Sequence, residues 1–442
     1  MRIRTKRVGL LRSCPASGAN LEGSRSWVSW AGLTLSMGVW SHTWGEGFRN
    51  PPPGALDLGR AGGRFAHVDD ASAVWNNPAN LVDLSAPEAQ FTPSVIYFNI
   101  KYDSPTGAST STEHPWKLLP NFFAAVPVNN SKYAFGIGLT VPYGLSVEWK
   151  QDSTSPFRYT APHFNELITL NVNPTFTFRV VDQLTIGIGF DVMWSQLTFR
   201  QFYPWAVFPF SNGTEPDGTV QLKGDGVGFG GNIGLTWQPT RRQRLALTLR
   251  SPVEVSYDGD FTVNNITPTA NILGATPRSD FSTKILFPTI LGGGYGIQVT
   301  DDIRLEIDGE WLQFSNFDSL DIDAGNNNFL LPSRSFPQRW KDTFTAGIGG
   351  DWKLTEDFVL RASYQFYESP VPDETFSPTI PDANQHVFTV GLGYHHRHHA
   401  LELAYGLDLY DKRTITNGPG YPFNGTYNLS VHLFSFLYRY AF

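Results

Sequence analysis

The chain has 442 residues, a net charge of −7 and 17% charged residues, below the roughly 25% of an average soluble protein. Its acidity argues against a nucleic-acid surface, and its single cysteine excludes a disulfide framework. No segment after residue 45 has the roughly 18 uncharged apolar residues of a membrane-spanning helix. With 42 glycines and 14% aromatic residues, the composition leaves a large β-sandwich, a propeller or a closed membrane barrel.

The N-terminus predicts export from the cytoplasm. A basic stretch with a single acid, Glu22, is followed by the uncharged, mostly apolar residues 27–44. Basic and then modestly apolar residues are typical of a secretory signal. We predict a signal or targeting segment over residues 1–44, cleaved near Thr43–Gly45, with Cys14 removed along with it. A disordered tail is the alternative, and the true start can lie downstream of Met1.

The next segment, residues 45–87, is too irregular and too rich in proline and glycine to form strands. Within it, DDASAVWNNPANL predicts a short helix that Asp69 or Asp70 caps and that Asn77-Pro78 ends. A compact segment of this length before a barrel has a natural place in the barrel interior, where it forms a plug or hatch. A periplasmic linker is the alternative.

From residue 88 onward the chain repeats an alternation of apolar and polar residues. In one example Leu184, Ile186 and Ile188 alternate with Thr185, Gly187 and Gly189. This period of two indicates strands with one apolar face. Fourteen strands are predicted, near residues 88–103, 116–128, 132–149, 164–180, 183–200, 220–238, 243–260, 281–299, 303–317, 339–352, 358–368, 384–394, 399–411 and 427–442.

The connections between these strands alternate strictly between short turns and long loops. That order is typical of an up-and-down outer-membrane barrel and differs from the Greek-key connections of a soluble sandwich. We therefore predict an all-β fold, a 14-stranded antiparallel transmembrane β-barrel over residues 88–442. The barrel carries an N-terminal hatch in its lumen.

The last strand ends at Phe442 with an aromatic residue at every second position. This stripe resembles the assembly signal of bacterial outer-membrane barrels, and it predicts the barrel assembly machinery as a partner. The terminal strand of a soluble sheet is the alternative. The predicted location is the outer membrane of a Gram-negative-type bacterium, with membrane lipid and lipopolysaccharide as surroundings.

Several motifs together resemble the FadL-type outer-membrane transporters, which carry long-chain fatty acids or aromatic hydrocarbons. In the hatch segment these motifs are LGRAG (58–62) and DDASAVWNNPANLVDL (69–84), which contains Asn77-Pro78-Ala79. Further similar stretches are residues 138–149, 157–162, 167–190, 224–240, 340–373 and 380–388. The resemblance covers nearly everything after residue 46. The N-terminal extension departs from the family pattern.

The resemblance implies a passive channel for hydrophobic compounds that is gated by the hatch and has a lateral exit at a kink in the third strand. The residues expected to act in the hatch and its gating are Gly59, Arg60, Ala61, Asp69, Asp70, Asn77, Pro78 and Ala79. The lateral opening is expected at Pro142, Tyr143 and Gly144. Proline cannot donate a ladder hydrogen bond and glycine weakens strand pairing, so the residues themselves also predict a local break. A position above the membrane, where a break has no consequence, is the alternative.

Two groups of aromatic residues are candidates for contact with a hydrophobic small-molecule substrate. Phe48 resembles the Gly-Phe start of the family and is expected near an interior ligand site. An outer-loop cluster is expected to capture substrate first, and it consists of Phe202, Tyr203, Trp205, Phe208 and Phe210. Membrane-girdle or loop packing is an equally good reading of that cluster.

The remaining signals point to a transporter that uses no enzyme chemistry, cofactor or metal. The histidines of the turn at residues 394–399 lack a second cluster of ligands nearby in sequence. The acidic and basic residues of the polar strand faces predict lumen ion pairs, at Arg304, Glu306, Asp308, Glu310, Arg361 and Glu402. A monomer is expected. The alternatives for function are a general porin for hydrophilic solutes and a non-transport barrel such as an adhesin or receptor.

Overall fold

The computed structural model describes residues 46–442 except 131, 151–154, 208–210, 325–329 and 331–333. The predicted signal segment with Cys14 and its cleavage site therefore lie outside the described residues, as do Phe208 and Phe210 of the loop cluster. No helix in the described part of the chain is long and apolar enough to cross a membrane.

The described chain is dominated by strands. The strand segments are β1 (Glu88–Phe91), β2 (Ser94–Asp103), β3 (Ser109–Ser111), β4 (Trp116–Leu119), β5 (Phe122–Val128), β6 (Tyr133–Thr140), β7 (Gly144–Glu148), β8 (Phe164–Val181), β9 (Leu184–Tyr203), β10 (Gly218–Thr240), β11 (Gln243–Arg250), β12 (Val253–Val263), β13 (Arg278–Phe287), β14 (Ile290–Gln298), β15 (Ile303–Leu312), β16 (Ser319–Ala324), β17 (Arg334–Pro337), β18 (Thr343–Lys353), β19 (Phe358–Tyr367), β20 (Gln385–His396), β21 (His399–Tyr410), β22 (Arg413–Ile415) and β23 (Gly425–Ala441).

Helical structure is sparse and short. The α-helices are α1 (Ala55–Gly59), α2 (Ala73–Asn76) and α3 (Pro268–Ile272). The 3₁₀ turns are Pro78–Asp83, Trp205–Val207, Phe314–Asn316 and Asp373–Thr375.

These segments form a closed antiparallel sheet of fourteen wall strands, which confirms the predicted fold class. Eight of the wall strands consist of more than one segment, and their pieces are β1–β2, β3–β5, β6–β7, β11–β12, β13–β14, β15–β16, β17–β18 and β21–β22. Each wall strand pairs with its neighbours in the chain. The last strand, β23, pairs back with β1 and β2, so the sheet has no outer edge.

The two faces of the wall differ as the alternating sequence predicts. In β20 the outward residues Phe388, Val390 and Leu392 are exposed, while Thr389 and Gly391 between them are buried. The outward face is an apolar band for contact with lipid. One rim of the wall is made of short turns, and we call it the short-turn rim. The long loops lie at the opposite, long-loop rim.

The wall has a break in its third strand. β6 ends at Thr140 and β7 begins at Gly144, so residues 141–143 leave the sheet. β6 pairs with β5 and β8, whereas β7 pairs with β8 alone among the described strands. β4 of the second wall strand pairs with β2 and not with β7. The ladder between the second and third wall strands is therefore absent over residues 141–147. It resumes at Glu148, whose O accepts from the Glu113 N–H at 2.7 Å, and at the bridge between Thr112 and Trp149.

Candidate functional site

Residues 46–84, which we call the N-terminal segment, lie inside the ring of strands. Almost every residue of the segment is buried. A β-carbon at Gly187 of β9 would come within 2.3 Å of the Pro78 backbone, and one at Gly347 of β18 within 2.5 Å of the Gly62 Cα. Because β9 and β18 stand in different parts of the wall, these close approaches place the segment within the lumen. Glycine at these points provides the space for its backbone.

Asn77, Pro78 and Ala79 form the junction between two short helical turns. Asn77 Oδ1 accepts a hydrogen bond from the Ala79 N–H at 3.1 Å and so caps the 3₁₀ turn Pro78–Asp83. Its Nδ2 donates to Phe65 O at 2.9 Å and to the wall residue Thr236 at 2.8 Å. The predicted end of the helix at Asn77-Pro78 is confirmed, and the same side chain ties the segment to the wall.

The predicted hatch residues near Arg60 form an ionic network close to the short-turn rim, and this network is buried at Arg60, Asp70 and Asp351 and exposed at Asp69. Arg60 contacts Asp70 at 3.3 Å and Asp351 of β18 at 3.4 Å. Arg304 joins the network with Asp69 at 2.6 Å and with Asp351 at 2.9 Å. The prediction that Asp69 or Asp70 caps α2 is wrong: Ser72 is the N-cap residue and its side chain makes no capping bond, Asp70 accepts from the Ser72 N–H itself, and Asp69 pairs with Arg304 of the wall. The two neighbours of Arg60 in the chain do not belong to this ionic network. Gly59 lies against Gly391 and Arg361, and Ala61 O accepts a hydrogen bond from the Arg64 guanidinium.

A second part of the network holds the turn at residues 64–67. Glu306 accepts hydrogen bonds from the N–H groups of residues 65, 66 and 67 at 2.5–2.9 Å, and Asp308 accepts from the Arg64 N–H at 2.5 Å. The Arg64 guanidinium contacts Glu310 at 2.6 Å. The predicted lumen charges are therefore engaged, but mostly with the N-terminal segment instead of with one another.

The first residues of the segment enter an aromatic cage toward the long-loop rim. Phe48 is 1% exposed, and its ring lies 5.1–6.0 Å from each of five aromatic rings, those of Tyr143, Phe287, Phe314, Phe317 and Trp340. Gly47 precedes Phe48 with a φ of 69°, and a β-carbon there would come within 2.2 Å of Trp340. Only glycine fits that approach.

The backbone around Phe48 fills the break in the third wall strand. The Gly144 N–H donates to Phe48 O at 2.7 Å, and the Asn50 N–H donates to Pro142 O at 2.9 Å. Asn50 Nδ2 adds a bond to Val141 O at 2.8 Å. The N-terminal segment therefore forms a short antiparallel bridge with the third wall strand. This bridge takes the place of part of the pairing that the second wall strand does not make there. The three residues predicted for the lateral opening, Pro142, Tyr143 and Gly144, all lie at this bridge.

Sequence reasoning did not identify several residues around Phe48. Phe287, Phe314, Phe317 and Trp340 come from three distant wall strands, and only the aromatic pair of the FSNF stretch (314–317) gave a local signal. Asp382 was also missed. It is buried, accepts from Ser369 Oγ at 2.7 Å and from the Gly47 N–H at 3.3 Å, and burial raises the pKa of its carboxyl to about 7.

The described members of the predicted loop cluster do not form one surface. Trp205 is fully buried and donates from Nε1 to Asn264 O at 3.1 Å, and Tyr203 packs on it at 4.5 Å. Phe202 lies on the other side of the strand, where it stacks on His163 at 4.5 Å. β9 extends to Tyr203, so two of these residues belong to the wall and not to a loop.

The interior beside the break is tightly filled. A cavity of about 20 Å³ is lined by Arg49, Arg64, Thr140 and Pro142, among others. A second, of about 30 Å³, is lined by Arg250 and Trp75, whose ring carries the Arg250 guanidinium at 3.7 Å. Each has room for about one or two water molecules, since one needs roughly 10–15 Å³ of such space. A larger molecule can enter here only if side chains move.

Comparison with known proteins agrees with this architecture. The family model described as outer membrane protein transport protein (OMPP1/FadL/TodX) matches residues 38–442. The long-chain fatty acid transport protein of Escherichia coli K12 is 24% identical over 390 residues, covering 80% of this chain and 85% of the relative. The 47 kDa outer membrane protein of Pasteurella multocida is 26% identical over 402 residues, covering 87% and 91%.

Solved structures share the fold. A FadL homologue of Pseudomonas aeruginosa superposes with a TM-score of 0.78 at 21% identity, covering 90% of this chain and 100% of that one. The toluene transporter TodX of P. putida gives a TM-score of 0.71 at 19% identity, covering 88% and 98%. At these identities the structures support the barrel fold alone.

Proposed function

This chain belongs to the outer membrane protein transport family (OMPP1/FadL/TodX), and from that premise we propose that it is a passive channel for hydrophobic compounds, either long-chain fatty acids or aromatic hydrocarbons. The relatives are named as a fatty acid transport protein and a toluene transporter, which sets the range of substrates. Its location is the outer membrane. Binding that favours one hatch conformation over another is sufficient to open such a channel without ATP or an ion gradient.

In this proposal residues 45–87 are a hatch that gates the lumen, and the wall over 88–442 is the channel. Residues 1–44 are a signal segment removed on export. One observation carries the proposal: Phe48 and Asn50 pair with the break in the third wall strand. Because the same short bridge fills the break and holds the start of the hatch, displacing the start of the hatch would open the wall toward lipid. Pro142, Tyr143 and Gly144 are then the exit.

Such an exit suits the chemistry of the substrates. Moving an acyl chain into water costs about 0.8 kcal/mol per CH₂, so release into the aqueous periplasm is unfavourable. Release through the wall leaves the chain in hydrocarbon throughout. In this proposal the substrate occupies the apolar interior near Phe48 immediately before it is released. First capture by Phe202, Tyr203 and Trp205, with Phe208 and Phe210, completes the proposal and requires Trp205 to move, because this side chain is buried.

Two alternatives remain testable. A general porin needs an open aqueous lumen, whereas the described interior is filled by the N-terminal segment. A surface adhesin or receptor would act through its long loops and would keep binding if the hatch could not move. The proposal includes no enzyme activity, and it includes a monomer and the barrel assembly machinery as the partner of the strand that ends at Phe442.

A reversible cross-link tests the hatch directly. Val74 in α2 faces Gly138 of β6, where a β-carbon would lie 3.1 Å from Val74 Cγ1. A disulfide sets about the same distance, roughly 3 Å, between one sulfur and the opposite β-carbon. The variant Val74→Cys/Gly138→Cys, made with Cys14→Ser, should therefore lock the hatch to the wall when oxidised.

The measurement is uptake of labelled oleate and of toluene by cells that express each variant at equal outer-membrane levels. Oxidation should block uptake in the double variant, and reduction should restore it. The two single-cysteine variants should respond to neither treatment. Equal uptake with the cross-link closed and open would exclude hatch gating. Free passage of small sugars without oleate or toluene uptake would favour the porin.

A further inference from the structure

Glu46 combines features that a structural ion pair does not require. It is fully buried, and its Oε2 contacts Arg49 Nη1 at 2.7 Å. Its Oε1 has no hydrogen-bond partner among the described residues. Its φ of 72° is in the left-handed region, which is uncommon for a residue other than glycine. Glu46 is therefore bound to Arg49 through only one of its two carboxylate oxygens, and its backbone is in an unfavourable conformation.

The surroundings of Glu46 match a particular kind of molecule. Two residues along the chain, Phe48 fills the aromatic cage, so the segment 46–48 presents one carboxylate and one apolar group at a short distance. A long-chain carboxylic acid has the same two parts. The adjoining cavity of about 20 Å³ is too small for an acyl chain, so a ligand has to replace groups that already occupy the interior.

The local charges allow such a replacement. Arg49 also contacts Glu310 with both terminal nitrogens, at 2.8 and 3.1 Å, and Glu310 contacts Arg64 at 2.6 Å. Two arginines thus face two carboxylates in a buried site. If one incoming carboxylate takes the place of Glu46, the site stays neutral and Arg49 keeps both partners. A neutral ligand that displaced Glu46 would leave Arg49 with a single carboxylate, which is unfavourable in a buried site.

We propose that Glu46 is an internal substitute for the ligand's carboxylate, and that a long-chain carboxylic acid displaces it from Arg49 while the acyl chain displaces Phe48 from the aromatic cage. The proposal rests on the uptake function above and specifies it: the preferred substrates are ionised fatty acids, and neutral hydrocarbons bind more weakly. It also names the event that releases the start of the hatch, because Glu46, Phe48 and the bridge to the third wall strand are contiguous.

The test compares two ligands that differ only in the headgroup. Equilibrium binding of tritiated oleate and oleyl alcohol is measured with the purified full chain in one non-ionic detergent. Glu46→Gln removes the competing charge and should strengthen oleate binding about tenfold. Arg49→Gln should weaken it about tenfold, because charge-assisted hydrogen bonds are lost, and Arg49→Lys should restore most of it. Binding of oleyl alcohol should change less than twofold in every variant.

The exposed pair Lys284–Glu254 on the outer surface of the wall provides matched controls. Lys284→Gln changes the net charge by the same amount as Arg49→Gln, and Glu254→Gln by the same amount as Glu46→Gln. Neither control should alter the oleate-to-alcohol ratio. The proposal is overturned if Arg49→Gln weakens both ligands equally, or if Glu46→Gln leaves oleate binding unchanged or weaker.

Failure of this proposal can be told apart from failure of the uptake function. If the wild type binds oleate and oleyl alcohol equally, or transports toluene and binds neither, the carboxylate site is wrong and the channel function stands. If cells take up neither oleate nor toluene, the channel function itself fails and the carboxylate site fails with it.

Discussion

The two halves of the barrel interior are built from different interactions. Toward the long-loop rim, the Phe48 ring packs against five other rings by apolar contact, beside the Glu46–Arg49–Glu310 ion pairs and the backbone bridge to the third wall strand. Toward the short-turn rim, the same N-terminal segment is held by Arg60, Asp69 and Asp70 and by their ionic partners on the wall. An apolar contact can be exchanged for one with an apolar ligand at little cost. A buried ion that loses its partner is costly whatever replaces the partner. The contrast indicates a start whose apolar ring and single carboxylate a ligand with the same two groups can replace, and a remainder anchored by several ion pairs.

The largest effect is expected from breaking the anchored half. Asp351 contacts Arg60, Arg304 and Arg361, so Asp351→Asn leaves several buried cations without their shared anion. The free energy of local unfolding of the N-terminal segment should fall by about 3–5 kcal/mol. Native-state hydrogen exchange of the amides of residues 60–70 measures this, with Asp301→Asn at an exposed turn as the control. Unchanged protection would show that these charges do not anchor the segment.

Phe48→Ala tests the apolar half of the interior, toward the long-loop rim. The loss of buried ring contacts should destabilise residues 46–50 locally by about 3 kcal/mol. Binding of a hydrophobic ligand should nevertheless become stronger, because no ring has to leave the cage. Hydrogen exchange and oleate binding on the same preparation measure both effects, with Phe48→Leu as the intermediate case. Weaker binding in Phe48→Ala would mean that Phe48 contacts the ligand instead of yielding to it.

Gly187→Ala tests the fit between segment and wall. The added methyl group would meet the Pro78 backbone at 2.3 Å, and backbone cannot move aside as a flexible side chain can. The expected cost in stability is about 1–3 kcal/mol, together with leakage of hydrophilic dyes past a displaced N-terminal segment. Gly418→Ala, where a β-carbon meets nothing within 4 Å, is the control. A dye flux equal to that of the wild type would contradict the tight fit.

The smallest effect is expected at the boundary between the two halves. Trp75→Leu removes the ring over Arg250 but leaves the Arg250–Asp191 pair at 2.6 Å. About 1 kcal/mol of local stability should be lost. The same hydrogen-exchange measurement reports it, and Trp237→Leu on the exposed wall face should change nothing there. If Trp75→Leu lowered local stability as much as Asp351→Asn does, the ionic network around Arg60 would not be the main anchor of the N-terminal segment.

The sequence predicted the wall better than it predicted the interior. A period of two depends only on neighbours along the chain, so the fourteen strands and the turn order could be read directly. The end of the helix at Asn77-Pro78 is equally local, and it was found. Pro142 and Gly144 marked the break for the same reason. Many partners of the N-terminal segment are wall residues far away in sequence, 159 positions for Asn77 and Thr236 and 291 for Arg60 and Asp351, and no local pattern encodes them.

The loop aromatics show the opposite error. Phe202, Tyr203 and Trp205 read as one cluster because they are adjacent in sequence. In the structure, strand alternation and the 3₁₀ turn Trp205–Val207 direct them to different surroundings. Likewise, Arg49 and Glu46 gave no signal, since one buried ion pair at a spacing of three resembles many exposed ones.

The enclosure of the N-terminal segment constrains how the molecule can be made. Polypeptides very rarely thread through a closed ring, and this ring is closed by the final strand, β23, against the first. The N-terminal segment precedes every wall strand in the chain, whereas β23, which closes the ring, follows all the others. The segment is therefore made before the ring can close, and closure of the strands around it would require no threading.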